Sequence, residues 1–237
     1  MPAAAPLFHV KICGVTSVAD AGMVAAAGAD AIGLNFVPGS PRCLDPGAAR
    51  AITAAVPGGV LMVGVFAGMP AADVRRIAAA AGLHAVQLHG HLDGETAGDP
   101  PQRCADLAPW PVIRAIRLGP DGFTAARAWI AAARSLGHGP AMAVVDAAVT
   151  ATTAAGQLGG TGATIDWRLL AGAGGLGMPI AVAGGLTPGN VAEAVATSGA
   201  GAVDTASGVE SAPGRKDPDK VKAFCRAARA ALAANRP

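Results

Sequence analysis

Along 237 residues an apolar, β-rich run gives way to an alanine-rich run of helical spacing, and this alternation repeats about eight times. The runs that read as strands are Phe8–Gly14, Ala31–Phe36, Leu61–Phe66, Ala85–His89, Val112–Arg117, Met142–Asp146, Pro179–Ala183 and Ala202–Ser207. Helical patterns fall between them at Val18–Ala27, Pro46–Ala55, Ala71–Ala81, Gly122–Leu136, Pro188–Ser198 and Pro218–Ala234, with a short fourth one around Gln102–Leu107. Ser17, Asp45 and Thr187 stand where helix caps are expected, because their side-chain oxygens can accept the unsatisfied N–H groups of a first turn. Strand–helix units in that number predict an α/β chain closed into a single (β/α)8 barrel. An open doubly wound sheet would more often carry a GxGxxG turn after its first strand, and Gly14-Val15-Thr16-Ser17 does not match it. No Pro/Ser linker or composition break divides the chain, so residues 1–237 read as one domain.

Composition narrows the function classes. Hydrophobic residues make up 52% and charged ones 14%, which excludes a disordered chain. A formal charge of +2 with no block of like charges points away from nucleic acid and from anionic membrane surfaces. Every long apolar stretch is broken by Gly, Pro or a charge before it reaches membrane-spanning length, and the first residues lack the pattern of a signal peptide. Cys13, Cys43, Cys104 and Cys225 are widely spaced with no CxxC pair, so neither a disulfide framework nor a zinc site is expected and a reducing cytoplasm fits best.

In a barrel, chemistry sits where the strands end. Lys11 and Cys13 alternate onto one face of the first strand, and Cys13 stops it beside Gly14. A neighbouring cation lowers a thiol's pKa, which would suit a base that removes a carbon-bound proton; a buried cysteine otherwise behaves as a small hydrophobe, the reading for the other three. Asp146 closes an apolar run, where an unpaired carboxylate is costly, so it reads either as an ion-pair partner of Lys11 or as a general acid. Asp204 is assigned to the Lys11 pair or to substrate hydroxyls, leaving Asp146 for catalysis. Asn35, Gln87, His89 and Arg117 also end strands and are candidates to line the site. His89 and His91 lack a carboxylate or cysteine at ligand spacing and are not read as a metal site.

Two of the last strands stop at glycine or serine before a helical start, at Gly184-Gly185 and Ser207-Gly208. Glycine lets backbone approach a ligand closely, and N–H groups at a helix start attract an anion, so the pair predicts a phosphate cup. Gly160-Thr161-Gly162, after an irregular threonine-rich stretch from Ala147 to Leu158, can add N–H groups to it. Arg42, behind Ser40-Pro41, is suited to grip a carboxylate by two bonds.

Six stretches then stand together: KICGVT at Lys11–Thr16, GLNFVPGSPR at Gly33–Arg42, VQLHG at Val86–Gly90, GGTGATIDW ending at Trp167, AGGLTPGN at Ala183–Asn190 and SGVESAPGRKD at Ser207–Asp217. In that order they resemble the motifs of the phosphoribosylanthranilate isomerases, from Lys11 to Asp217. The resemblance implies a barrel enzyme of tryptophan biosynthesis that performs an Amadori rearrangement with no cofactor, as a monomer or homodimer acting on a phosphosugar. It implies Cys13 as general base, Asp146 as general acid, Arg42 for the anthranilate carboxylate and the late glycine loops for phosphate. The chain departs from the family at Cys43-Leu44, in the length of the stretch after Asp146 and at Leu92-Asp93-Gly94. The alternatives within the same class, a related histidine-pathway isomerase or a dual-specificity phosphosugar isomerase, resemble the chain in the phosphate cup but typically place an aspartate where Cys13 stands. A non-catalytic phosphate-binding barrel would be expected to lack Cys13 or Asp146, and both are present.

Overall fold

In a computed structural model of the chain, which describes residues 5–90, 99–118, 122–146 and 167–235, eight parallel strands close into a barrel in sequence order. They are β1 (Val10–Cys13), β2 (Ala31–Asn35), β3 (Leu61–Phe66), β4 (Ala85–Leu88), β5 (Val112–Arg117), β6 (Met142–Asp146), β7 (Ile180–Ala183) and β8 (Ala202–Thr205). β8 closes the ring on β1 with Lys11 in register with Asp204. The helices around it are α1 (Val18–Ala26), α2 (Pro46–Ala55), α3 (Ala71–Ala81), α4 (Arg103–Asp106), α5 (Thr124–Ser135), α6 (Val191–Ser198) and α7 (Pro218–Ala234). Between β6 and β7 the described residues hold a 3-10 helix, Trp167–Leu176, in place of an α-helix.

Strand alternation sorts the apolar side chains into two separate cores. Ala31, Val63, Ala85, Ile113, Val144 and Ala181 fill the barrel interior, with Phe8 among them. Residues one position away, such as Ile12, Ile32, Val86, Val145 and Val182, face outward and pack with the helices. The lower interior is thus apolar, a mixture of alanines with Phe8, Val63, Ile113, Met142 and Val144, while Lys11, Gln87 and Asp204 are buried polar groups of the strands that line it above. Burying charge there is costly unless it is paired, and the pairing is described below.

The helix starts follow the caps in two of three cases. Ser17 accepts from Asp20 N–H, and Asp45 accepts from Gly47 and Ala48 N–H with Pro46 at the first helical position. Thr187 is not a cap. Asn190 instead accepts from Thr187 N–H at 2.7 Å and donates to Gly185 O at 3.0 Å, so residues 187–190 form a turn and α6 begins at Val191. Several strands stop one or two residues short of their apolar runs: Phe8 lies before β1, and His89 lies beyond β4 although its N–H still bonds Phe66 O.

A short hairpin after β8 was not anticipated. β9 (Glu210–Ala212) and β10 (Arg215–Lys216) pair antiparallel around Pro213-Gly214, and Gly214 has φ of 80°. Thr16 donates to Gly214 O, and Lys216 N–H donates to Asp20, so the hairpin is stitched to the chain just after β1. Its strands are too short to leave a period in the sequence.

Candidate active site

Lys11, Cys13, Gln87, Arg117, Asp146 and Asp204 fall on the inward positions of their strands, in register with inward neighbours such as Ala31, Gly33, Ile113 and Ala183, and His89 follows directly after β4. Lys11 donates to Asp204 Oδ2 at 2.8 Å, with the lysine side chain fully buried. This decides the partner of Lys11: it is Asp204 and not Asp146. Burial alone would lower the lysine's pKa, but Asp204 and Cys13 outweigh it and hold the ammonium charged. The second oxygen of Asp204, Oδ1, is buried with no bonding partner among the described residues. Gln87 Oε1 is in the same state.

Cys13 ends β1 one layer above Lys11 and is half-buried. Lowering of its pKa by the lysine is overruled: burial pushes the thiol above its ordinary value of 9.0, the Asp204 charge adds to that, and Lys11 and Lys216 only partly offset it. Gly33 lies directly across on β2, where a Cβ would sit 2.6 Å from Cys13 Sγ and 2.9 Å from its Cα. Glycine at this position is what leaves room for the thiol.

Asp146 ends β6 in register with Arg117 on β5. Burial raises its pKa above the ordinary 3.8, Asp204 adds to the rise, and Arg117 opposes it. His89 is held at about 4 by burial and by the charges of Lys11, Arg117 and Arg114, so its ring is neutral at pH 7. Gln87 Nε2 lies 2.8 Å from His89 Nε2, an amide donating to the unprotonated ring nitrogen. Among the described residues no group of three His, Cys, Asp or Glu could hold a metal ion.

Asn35 does not offer its amide to the barrel mouth. Its Oδ1 accepts from Val37 N–H at 2.7 Å and its Nδ2 donates to Ser40 Oγ at 3.2 Å, which in turn accepts from Arg42 N–H. Asn35 therefore shapes the loop that carries Arg42. The Arg42 stem crosses Gly14 so closely that a Cβ there would lie 2.3 Å from Arg42 Cδ, and Gly14 has φ of 72°. The guanidinium grips Glu210 by two bonds, Nε to Oε1 at 2.8 Å and Nη2 to Oε2 at 2.6 Å. Lys216 donates to the same Oε1 at 2.8 Å, to Cys13 O at 2.7 Å and to Ala206 O at 3.0 Å. Burial raises the Glu210 carboxyl, but these two cations outweigh burial and hold it below the ordinary range.

Sequence spacing does not single out Glu210 and Lys216, which lie inside one long glycine-containing stretch, Ser207–Asp217. The signal available is an acid and a base on either side of the turn residues Pro213-Gly214, which a hairpin brings face to face through a register shift.

The two late glycine loops do meet. Gly184 and Gly185 have φ of 86° and 60° at the end of β7. Gly208 sits against Leu186 O, 1.8 Å from where its Cβ would be, and Thr205 Oγ1 donates to the same carbonyl at 2.7 Å. Ser207 opens the 3-10 turn Ser207–Val209 beside them. Gly160, Thr161, Gly162, His91 and the stretch from Ala147 to Leu158 lie outside the described residues.

Residues 10–227 match the family model described as N-(5'-phosphoribosyl)anthranilate (PRA) isomerase. The chain belongs to this family. It is 43% identical to the N-(5'-phosphoribosyl)anthranilate isomerase of Myxococcus xanthus over 222 residues, 93% of this chain and 96% of the relative. The crystal structure of the enzyme from Thermotoga maritima superposes with a TM-score of 0.79 at 33% identity, covering 94% of this chain and 99% of the other. A phosphoribosyl anthranilate isomerase crystallised with reduced 1-(o-carboxyphenylamino)-1-deoxyribulose 5-phosphate superposes at 0.77 with 31% identity, again over 94% and 99% of the two chains. These matches make the chain an isomerase, and the polar barrel mouth is its candidate active site.

Proposed function

We propose that the chain converts N-(5-phosphoribosyl)anthranilate into 1-(2-carboxyphenylamino)-1-deoxyribulose 5-phosphate in tryptophan biosynthesis, with Asp146 as general acid and Cys13 as general base. The observation that carries the assignment is that both groups face the barrel interior from β6 and β1, and the charge of Asp204 acts on each. Asp146, raised by burial, gives its proton to the furanose ring oxygen as the C1′–O4′ bond breaks and the substrate nitrogen forms a Schiff base. The Cys13 thiolate then takes the C2′ proton, leaving an enolamine that tautomerises to the ketone. Atoms and charge balance without an external oxidant or reductant, because C1′ is reduced as C2′ is oxidised.

The remaining groups hold the substrate. Gly184, Gly185, Ser207 and Gly208 supply the phosphate end, with Gly160, Thr161 and Gly162 assigned to the same anion. Arg42 takes the anthranilate carboxylate. The unpartnered oxygens of Asp204 and Gln87 are acceptors for ribose hydroxyls.

Turnover of enzymatically generated phosphoribosylanthranilate by the purified chain, followed through loss of substrate fluorescence, tests the reading. Cys13→Ala and Asp146→Asn are each expected to lower kcat by about 10²–10⁴-fold with smaller effects on KM. Cys43→Ala, Cys104→Ala and Cys225→Ala should retain the rate. Near-normal turnover by Cys13→Ala overturns the cysteine base.

A further inference from the structure

We propose that Glu210, itself pinned by Lys216, is a positioning residue that orients Arg42 so that the guanidinium offers its outer two-donor edge to the substrate's aryl carboxylate. The proposal rests on the isomerase reading above. A guanidinium carries five N–H donors arranged as two usable edges. Glu210 takes the edge formed by Nε and Nη2, which leaves Nη1 and the second hydrogen of Nη2 as a second fork. An arginine on a loop samples many rotamers, and fixing one before substrate arrives removes that entropy from the binding step. Here the fixing is thorough, since the stem lies across Gly14, the head is held by two bonds, and Glu210 is only 7% exposed.

Lys216 explains why this arrangement still attracts an anion. Two cations and one carboxylate leave the cluster with one net positive charge. Its ammonium also binds the carbonyls of Cys13 and Ala206, the residues at the ends of β1 and β8. The cation that recognises the aryl group is thereby tied to the backbone that carries the thiol. Arg42, Glu210 and Lys216 set the distance between the ring end of the substrate and the base that attacks its C2′.

The test compares two non-reacting ligands by calorimetry: reduced 1-(o-carboxyphenylamino)-1-deoxyribulose 5-phosphate and its counterpart without the carboxylate. Wild type is expected to prefer the carboxylated ligand by roughly 10–100-fold, the worth of one charged hydrogen-bonded contact. Arg42→Ala should abolish the preference. Glu210→Gln, which keeps the shape and removes the charge, should cut it by about tenfold while leaving the affinity for the decarboxylated ligand within about threefold. Glu210→Asp, folded and with a retracted carboxylate, should fall between, and Glu210→Gln should have no further effect on the preference in an Arg42→Ala background. If Glu210→Gln, or Glu210→Asp should the first not fold, weakens both ligands equally, Glu210 only holds the hairpin and the proposal is overturned. Unchanged preference in either variant overturns it too. A wild type that turns over phosphoribosylanthranilate but shows no preference refutes the role of Arg42, and one that neither turns it over nor binds either ligand refutes the isomerase reading itself.

Discussion

Replacing Lys11 with methionine removes one half of an ion pair whose lysine side chain is fully buried and whose carboxylate is 7% exposed. Leaving the other half behind in a dry interior costs about 3–5 kcal/mol. For a chain of this length each kcal/mol moves Tm by roughly 2–4 °C, so Lys11→Met should melt roughly 6–20 °C below wild type. The pH dependence carries a sign. Burial already pushes Asp204 above its ordinary 3.8, and without Lys11 nothing of comparable strength opposes it. A carboxyl raised on folding gives stability that is fully present below its unfolded pKa and lost as pH rises through the folded one. The deficit of Lys11→Met against wild type should therefore be greatest at neutral pH and shrink as pH falls toward 4. Adding Asp204→Leu should recover most of the loss, since a buried pair is often replaceable by apolar groups. Thermal unfolding by circular dichroism across pH reads all of this. A single variant within about 1 kcal/mol of wild type at pH 7 would refute the view that the pair closes the barrel interior.

Asp146 and Cys13 should titrate as the acid and alkaline limbs of kcat/KM, with burial raising the first above its ordinary 3.8 and the second above its ordinary 9.0. The wild-type profile should be level through neutral pH, whereas the residual rate of Asp146→Asn, dependent on thiolate alone, should climb about tenfold per pH unit there. Gly33→Ala places a methyl 2.6 Å from Cys13 Sγ and 2.9 Å from its Cα, so thiol and strand must both shift, and it should lower kcat by about 10²-fold and lower Tm as well. Gly208→Ala meets the Leu186 carbonyl at 1.8 Å and must part the two glycine loops, so inhibition by inorganic phosphate should weaken while Cys13 reacts with thiol reagents as before.

The order of the strands and most helix bounds were legible because alternation and helical spacing are local properties. Pro46–Ala55, Ala71–Ala81 and Pro218–Ala234 match the bounds read from helical spacing, with Asp45 and Asp217 capping the first and last and Gly82 ending the middle one. What was not legible is long-range. Thr187 looks like a cap until Asn190 reaches back to its N–H, a contact that propensity does not encode. Lys11 looks like an activator of Cys13 until Asp204, nearly two hundred residues on, is seen to hold it. Strand-end position and the Ser-Pro-Arg setting point Asn35 and Arg42 at a ligand, yet both make protein contacts first, to Ser40 and to Glu210. Strand-end position identified which residues reach the barrel mouth; only the fold shows which of their atoms are already engaged.

The closure of β8 on β1 also sets an order of events during synthesis. Lys11 is synthesised well ahead of the carboxylate that neutralises it, at position 204, and Cys13 ahead of the ammonium that ties down its carbonyl, at 216. Until the last strand emerges, any collapse that buries Lys11 leaves its charge without that partner, at a cost in free energy. A chain cut short of β8 is therefore expected to expose its first strand to limited proteolysis more than the full chain does, and equal protection of the two would refute this.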